Sequence, residues 1–140
     1  MTLTRTEVRE LLDRHGIRPK RSLGQNFVVE PNTVRRIVEL AAVGPGDRVL
    51  EIGPGVGSLT LALAEAGVAV TAVEIDDALV DVLAETTAGH DVVVVHADAM
   101  AVDWSDLLGN DQWTLVANLP YNCLLYTSPS PRDQRGSGVG

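Results

Sequence analysis

The chain has 140 residues, 45 % of them hydrophobic and 21 % charged, with a formal net charge of -8. This is the composition of one soluble globular domain, and the sequence excludes a membrane-spanning run, a signal peptide and, because Cys123 is the single cysteine, an intrachain disulfide. The charge is uneven: residues 1–36 hold eight basic against four acidic residues, and residues 37–140 hold three against fifteen. The asymmetry fits either a basic arm that meets nucleic-acid phosphates or a solvated helix face.

The N-terminal part predicts two helices joined by a basic connector. The first helix, over residues 4–15, and the second, which begins at Pro31, carry apolar residues at helical spacing. The connector "IRPKRSLGQNFVVE" is basic and has no periodicity. The apolar residues are Val8, Leu11 and Leu12 in the first helix and Val34, Ile37, Val38 and Ala41 in the second.

From residue 48 onward, short strands of Val, Ile, Leu and Ala alternate with helices. Strands of this composition are typical of a parallel sheet that is buried on both faces. The alternation predicts a doubly wound, mostly parallel α/β sheet of Rossmann-like type. The predicted strands are 48–52, 68–75, 92–97 and 113–118; the predicted helices are 58–67 and 76–89, with a short helical or looped piece at 103–109.

The last residues depart from this pattern. "TSPSPRDQRGSGVG" (127–140) is dominated by Ser, Pro and Gly, which predicts disorder. A sheet that stopped at strand 113–118 would leave an apolar open edge, which proteins usually avoid. We therefore expect a basic helix and arm (1–30), an α/β domain incomplete at its C-terminus (31–122) and a non-native or disordered tail (123–140).

Three glycines and two acids predict a nucleoside site. Gly53, Gly55 and Gly57 lie between the first predicted strand and its helix, where a tight turn and a close-lying ligand both require residues without Cβ. Glu74 ends the next strand, at the spacing from Gly53 at which an acid binds the ribose hydroxyls of an adenosine-containing cofactor. Asp98 follows the third strand and can accept a hydrogen bond from the adenine amino group. The alternatives are a structural turn, a surface glutamate and a helix cap.

The loop reads G-x-G-x-G, which resembles motif I of S-adenosylmethionine-dependent methyltransferases and not the dinucleotide fingerprint. No P-loop lysine follows it, so phosphate binding of the ATP or GTP type is not expected. Loop N–H groups can bind the methionine carboxylate of this cofactor. Glu51 is either a partner for its cationic end or a strand-end carboxylate with a structural partner.

Five motifs, in order and spacing, resemble the ribosomal RNA adenine dimethyltransferases, and most of all the bacterial small-subunit (16S) type. They are "SLGQNFVVEP" (22–31), "EIGPGVGSLT" (51–60), "VEID" (73–76), "HADAM" (96–100) and "NLPYN" (118–122). The resemblance implies that residues 31–122 are an S-adenosylmethionine-binding catalytic domain and that the chain is an N-terminal fragment, poorly active by itself. It also implies a cytoplasmic monomer without metal or membrane, whose partner is the rRNA of the pre-30S subunit.

The implied reaction is dimethylation of two adjacent adenosines near the 3′ end of that RNA. Two alternatives stay open: a large-subunit adenine dimethyltransferase that confers macrolide resistance, and a non-catalytic RNA-binding assembly factor. "NLPY" argues against the non-catalytic role, and "RSLGQNFVV" favours the small-subunit type.

The resemblance assigns the chemistry to Asn118, Leu119, Pro120 and Tyr121. The side-chain carbonyl of Asn118 and the main-chain carbonyl of Leu119 or Pro120 would accept the two hydrogens of the adenine amino group and turn its lone pair towards the methyl group. Pro120 has a fixed φ and no competing N–H, and Tyr121 would stack on a base swung out of its RNA context.

The resemblance assigns the remaining contacts to the arm and to the strand ends. Lys20 and Arg21 would meet RNA phosphates, and Phe27 would wall the cofactor site. The three histidines, His15, His90 and His96, lack the spacing of metal ligands and predict no metal site. The residues implied to contact the cofactor are Asn26, Val28, Gly53, Gly55, Glu74, Ile75, Asp98, Ala99 and Asn118.

Overall fold

A computed structural model describes residues 3–18, 31–109, 112–118 and 123–127, with Asn118 and the last strand described by their backbone. The elements predicted from the sequence are present with the same types and in the same order, their ends shift by three residues or fewer, and one further strand follows them. The helices are α1 (Arg5–Arg14), α2 (Pro31–Ala41), α3 (Ser58–Glu65), α4 (Asp77–Thr86) and α5 (Trp104–Leu108). The strands are β1 (Arg48–Ile52), β2 (Ala69–Glu74), β3 (Val92–His96), β4 (Thr114–Asn118) and β5 (Cys123–Thr127).

The strands form one sheet in the order β3-β2-β1-β4-β5. Strands β1 to β4 are parallel, with β1 between β2 and β4, which is the doubly wound arrangement that the alternation predicted. The order reverses beside β1, because the chain leaves β1 towards β2 and β3 and returns on the other side as β4. Ligands of such sheets bind at the carboxyl ends of the strands next to this reversal.

Strand β5 is a feature that the sequence analysis did not predict. Residues 123–127 were expected to begin a disordered or foreign tail, whereas they pair antiparallel with β4 from Cys123↔Asn118 to Thr127↔Thr114. The segment "CLLYT" has the β-branched and aromatic content that favours strands, and its pairing covers the edge of β4 that would otherwise be open. Residues 128–140 lie outside the described residues, so the tail and the domain boundaries stay predictions.

The main core lies between the sheet and helices α2 and α3. Apolar residues of β1, β2 and β4 alternate towards this face, and the helices bury their apolar faces on them. Leu63 is fully buried there, where truncating a leucine to alanine costs about 2–5 kcal/mol. The buried members of this core are Val34, Val49, Leu59, Leu63, Val68, Val70 and Val116.

Helix α1 forms a second core with α4. Thr4 caps α1: its hydroxyl accepts from the Glu7 N–H, and the Glu7 carboxylate accepts from the Thr4 N–H, both at 3.1 Å. The predicted apolar face of α1 is buried against Leu79 and Val82 of α4 and against Val56 of the glycine loop. The N-terminal helix thus packs directly behind the candidate cofactor loop. Within the described ranges, no helix is long and apolar enough to cross a membrane.

Candidate functional site

The site candidates lie at the carboxyl ends of the parallel strands. The glycine loop (53–57) follows β1, Ile75 follows β2, and Asp98 follows β3. Hydrogen bonds join these ends: the Gly53 N–H donates to the Val73 carbonyl at 3.1 Å, and the Ala97 N–H donates to the Glu74 carbonyl at 3.0 Å. The structure therefore brings the cofactor candidates of three strands to one edge of the sheet.

The glycine loop has the conformation that its composition predicts. Gly53, Gly55 and Gly57 have φ values of 71°, 61° and 97°, a left-handed region that side chains with a Cβ rarely adopt. The Gly57 N–H donates to the Pro54 carbonyl at 3.0 Å and closes the turn, after which α3 begins at Ser58. The loop thus turns the chain from strand to helix within five residues.

Glu74 is a carboxylate held by main-chain amides at this edge. One oxygen, Oε2, accepts from the N–H groups of Ile75 at 3.0 Å and Asp76 at 3.1 Å. Burial raises the pKa of Glu74, while hydrogen bonds from the amides of Asp76, Gly55 and Ile75 oppose the rise. The Gly55 contribution connects the carboxylate to the glycine loop, so the two predicted parts of the nucleoside site are neighbours.

The adenine candidates have the exposure that a ligand contact requires. Ile75, directly after Glu74, is 62 % exposed, so its apolar side chain is accessible at this edge of the sheet. Asp98 is exposed, and its Oδ1 accepts from the Met100 N–H at 2.9 Å, which fixes the carboxylate in a turn. Ala99, which lies between Asp98 and Met100, is half-buried.

His96 is a residue at this edge to which the sequence analysis assigned no role. It pairs in register with Glu74, and its Nε2 lies 3.1 Å from the Ile75 carbonyl and 2.8 Å from Oδ1 of Asp77. Both neighbours are acceptors, so the tautomer with its hydrogen on Nε2 can donate to them and fasten the turn after β2. Its position one residue before "ADAM" was the available signal, but the prediction tested histidines for metal spacing alone. Among the described residues, no group of three or more His, Cys, Asp or Glu could hold a metal ion.

Glu51 is completely buried beneath the glycine loop. The Thr60 hydroxyl of α3 donates to its Oε1 at 2.5 Å, and no described residue makes a hydrogen bond to its Oε2. Burial raises the pKa of Glu51 to about 7, the Thr60 hydrogen bond lowers it, and the charge of Glu74 raises it. Of the two predicted roles, these contacts favour the structural partner.

The other predicted residues are only partly described. Asn118 ends β4, next to β1, where Ile52 pairs with Ala117 in register, so its backbone reaches the same edge as the glycine loop. The residues that lie outside the described ranges are Lys20, Arg21, Asn26, Val28, Leu119, Pro120 and Tyr121.

Comparisons with known proteins agree with this geometry. The family model described as ribosomal RNA adenine dimethylase matches residues 16–125. Proteins named ribosomal RNA small subunit methyltransferase A are similar: that of Streptomyces coelicolor is 53 % identical over 122 residues, covering 83 % of this chain and 42 % of the relative. The protein of the same name from Kineococcus radiotolerans is 54 % identical over 125 residues, which cover 86 % of this chain and 41 % of that relative. The chain spans about two fifths of the length of the curated relatives it matches.

Solved structures are similar as well. The 23S rRNA methyltransferase ErmE matches with a TM-score of 0.53 and 30 % identity, over 69 % of this chain and 49 % of that one. An RNA methyltransferase from Salinibacter ruber, in complex with S-adenosyl-L-homocysteine, matches with a TM-score of 0.51 and 21 % identity. The match covers 64 % of this chain and 76 % of that one, and it supports the fold alone. The fold is therefore that of Rossmann-like methyltransferases, and the chain belongs to the ribosomal RNA adenine dimethylase family.

Proposed function

We propose that this chain is the cofactor-binding and catalytic part of an enzyme that uses S-adenosylmethionine to dimethylate the amino groups of two adjacent adenosines in small-subunit rRNA. The observation that carries the proposal is Glu74, whose carboxylate accepts hydrogen bonds from the amides of Ile75 and Asp76 at the carboxyl edge of the sheet, next to the Gly55 amide of the glycine loop. A carboxylate that is 6 % exposed, beside a glycine loop at the ligand edge of the sheet, is suited to bind the two hydroxyls of a ribose.

The described residues fit the adenosine part of the cofactor. Glu74 accepts from the ribose, the exposed Ile75 offers apolar surface to the adenine ring, and Asp98 accepts from the adenine amino group. Main-chain N–H groups of the glycine loop bind the methionine carboxylate, with Asn26 and Val28 of the arm over the cofactor. When bound, S-adenosylmethionine supplies the methyl group as an electrophile.

The adenine amino group is activated by acceptors at the end of β4. Its lone pair is delocalised into the ring, so it becomes nucleophilic when its two hydrogens are bound and the nitrogen turns towards sp³ geometry. The side-chain carbonyl of Asn118 and the main-chain carbonyl of Leu119 or Pro120 bind those hydrogens, and Tyr121 stacks on the base. Catalysis then comes mostly from positioning and electrostatics. The backbone position of Asn118 beside β1 supports this assignment.

The substrate is small-subunit rRNA within an assembling pre-30S subunit in the cytoplasm, bound by a monomer. Relatives named for the small subunit match at 49–54 % identity, whereas the 23S rRNA methyltransferase ErmE matches at 30 %. Lys20 and Arg21 in the basic arm meet RNA phosphates, which lowers affinity at high salt.

A chimeric enzyme tests the proposal. Residues 1–122 of this chain replace the matching segment of the Streptomyces coelicolor relative, and the product acts on small subunits from a strain that lacks the modification. Mass spectrometry of the digested rRNA should show N6,N6-dimethyladenosine at two adjacent positions. Asn118→Ala should reduce transfer by about a hundredfold or more, since it removes an acceptor that acts in the transition state.

The matched control is Asn32→Ala on the exposed start of α2, which should leave transfer unchanged. Methylation of large-subunit RNA in place of small-subunit RNA would support the macrolide-resistance alternative. Cofactor binding without transfer to either RNA would support the assembly-factor alternative.

A further inference from the structure

The glycine loop is hydrogen-bonded to a residue at the far end of α4. The Thr86 hydroxyl lies 3.0 Å from the Val56 carbonyl, thirty residues away in the chain, and 3.3 Å from the Leu83 carbonyl of its own helix. A hydroxyl has one hydrogen to donate, and the shorter distance is to the loop. The last turn of α4 thus holds a main-chain carbonyl of the candidate cofactor loop.

The backbone of the loop lies directly against this turn. A Cβ added to Gly57 would come within 2.9 Å of the Thr86 Oγ1 and 3.2 Å of the Leu83 Cδ2. Gly57 also has a φ of 97°, so both its conformation and its surroundings require glycine. The contact between the loop and α4 therefore leaves no space for the loop to shift towards the helix.

The side chain of Val56 is anchored on the same side. It is 2 % exposed, in a cluster with Leu79 and Val82 of α4 and with the apolar face of α1. Arg14 of α1 makes two hydrogen bonds, 2.9 and 2.6 Å long, to the carboxylate of Glu85, the neighbour of Thr86. The Val56 residue is thus held by its carbonyl and by its side chain.

We propose that Thr86 is a positioning residue for the cofactor loop. The peptide group is planar, so fixing the Val56 carbonyl also fixes the direction of the Gly57 N–H, which closes the turn on Pro54. Holding the turn in this way pre-orders the loop N–H groups that face the methionine end of the cofactor, and binding then costs less ordering. The inference rests on the proposed function, because it assumes that the loop binds S-adenosylmethionine.

Two ligands of different length test the positioning role in the 140-residue chain. S-adenosylhomocysteine carries the amino-acid end that meets the loop, whereas 5′-methylthioadenosine has the same adenosine part and lacks that end. Isothermal titration should show that Thr86→Val weakens the first ligand about tenfold, as expected for one lost hydrogen bond, and the second less than threefold. Thr86→Ser, which keeps the hydroxyl, should bind both within about twofold of the wild type.

Thr87→Val is the matched control. The Thr87 hydroxyl donates to the Leu83 carbonyl at 2.6 Å and is buried, so its loss perturbs the same turn of α4 without releasing the loop. We expect this variant to lower the midpoint of thermal unfolding while leaving the ratio of the two affinities unchanged.

The outcomes separate the inference from the proposed function. A wild-type chain that binds neither ligand would overturn the cofactor assignment and the inference with it. A wild-type chain that binds both, with Thr86→Val indistinguishable from wild type, would overturn the positioning role alone. Equal weakening of both ligands by Thr86→Val would also overturn it, because a general loss of structure explains that result.

Discussion

Two glutamates at the ends of neighbouring strands share a face of the sheet but have different surroundings. Glu51 pairs in register with Ala72 of β2, and Glu74 lies two residues further along that strand. Burial raises the pKa of both. Glu51 has one hydrogen bond, from Thr60, and is fully enclosed, whereas Glu74 accepts hydrogen bonds from two main-chain amides at the carboxyl edge of the sheet.

The difference follows from how each charge is stabilised. Main-chain amides favour the ionised form of a carboxyl group, so Glu74 is prepared to accept hydrogen bonds from a ligand. A carboxyl group with one hydroxyl partner and an enclosed second oxygen is more stable when protonated. The same residue type thus has surroundings that suit our proposed binding role in one strand and a structural role in the next.

The largest effect is expected from Glu51→Gln, on how the free energy of unfolding changes with pH. Burial raises the pKa of Glu51 from 4.5 to about 7, so between these values the folded protein binds more protons than the unfolded chain. This group therefore stabilises the fold fully below pH 4.5, and its contribution is lost as the pH rises through about 7. Between pH 4.5 and about 7, the contribution of Glu51 to the free energy of unfolding falls by about 3 kcal/mol. Urea unfolding should show this fall in the wild type and a much flatter profile in Glu51→Gln.

The control for that experiment is Asp81→Asn, an exposed acid in the middle of α4. Its pH profile should follow that of the wild type. If Glu51→Gln kept the wild-type slope, Glu51 would be ionised in the folded protein and its structural role would be wrong.

The second effect is on cofactor affinity. Glu74→Gln removes the charge that we propose binds the ribose hydroxyls, so we expect S-adenosylhomocysteine to bind about 30-fold more weakly, or about 2 kcal/mol. The midpoint of thermal unfolding should not fall, because the variant no longer buries a charge. Isothermal titration measures the affinity, with Glu51→Gln as the matched substitution that should change it less than about threefold. Equal losses in the two variants would remove the distinction between the glutamates.

The sequence predicted this site where the signal is local. Strand and helix ends follow from runs of Val and Leu and from the glycines, and Glu74 and Asp98 follow from their distance to those elements. Contacts across the chain could not be predicted in this way. Thr86 is hydrogen-bonded to Val56, thirty residues away in the chain, and Arg14 to Glu85, seventy-one residues away. Both hydrogen bonds depend on how α1 and α4 pack in the folded chain.

Strand β5 and His96 were missed for different reasons. The composition after Asn122 is dominated by the tail, and a strand of five residues is a weak signal unless its partner is known. His96 becomes informative only through its register with Glu74, which is a property of the assembled sheet.

A third, smaller effect is expected from the partner of Glu51. Thr60 is fully buried and its hydroxyl lowers the pKa of Glu51, so Thr60→Val should raise that pKa further and cost about 1–2 kcal/mol in the free energy of unfolding. The fall in stability with pH should then extend to higher pH than in the wild type. Thr60→Ser keeps the hydroxyl and should restore the wild-type profile. A Thr60→Val profile that ended at lower pH would show that the hydroxyl does not stabilise the carboxylate.

The smallest effect is expected at Glu85, a third glutamate, which has the opposite pKa shift. The hydrogen bond from Arg14 lowers the pKa of Glu85, so its contribution is present above its ordinary pKa and is lost as the pH falls. The pair is exposed, and solvent and salt screen it, so Glu85→Gln should lower the midpoint of thermal unfolding by about 2 °C or less, and by less still in high salt. Differential scanning calorimetry at neutral and acidic pH, each in low and in high salt, measures the dependence of this midpoint on pH and on salt. A large decrease that persists in high salt would mean that the pair holds α1 on α4 more strongly than its exposure allows.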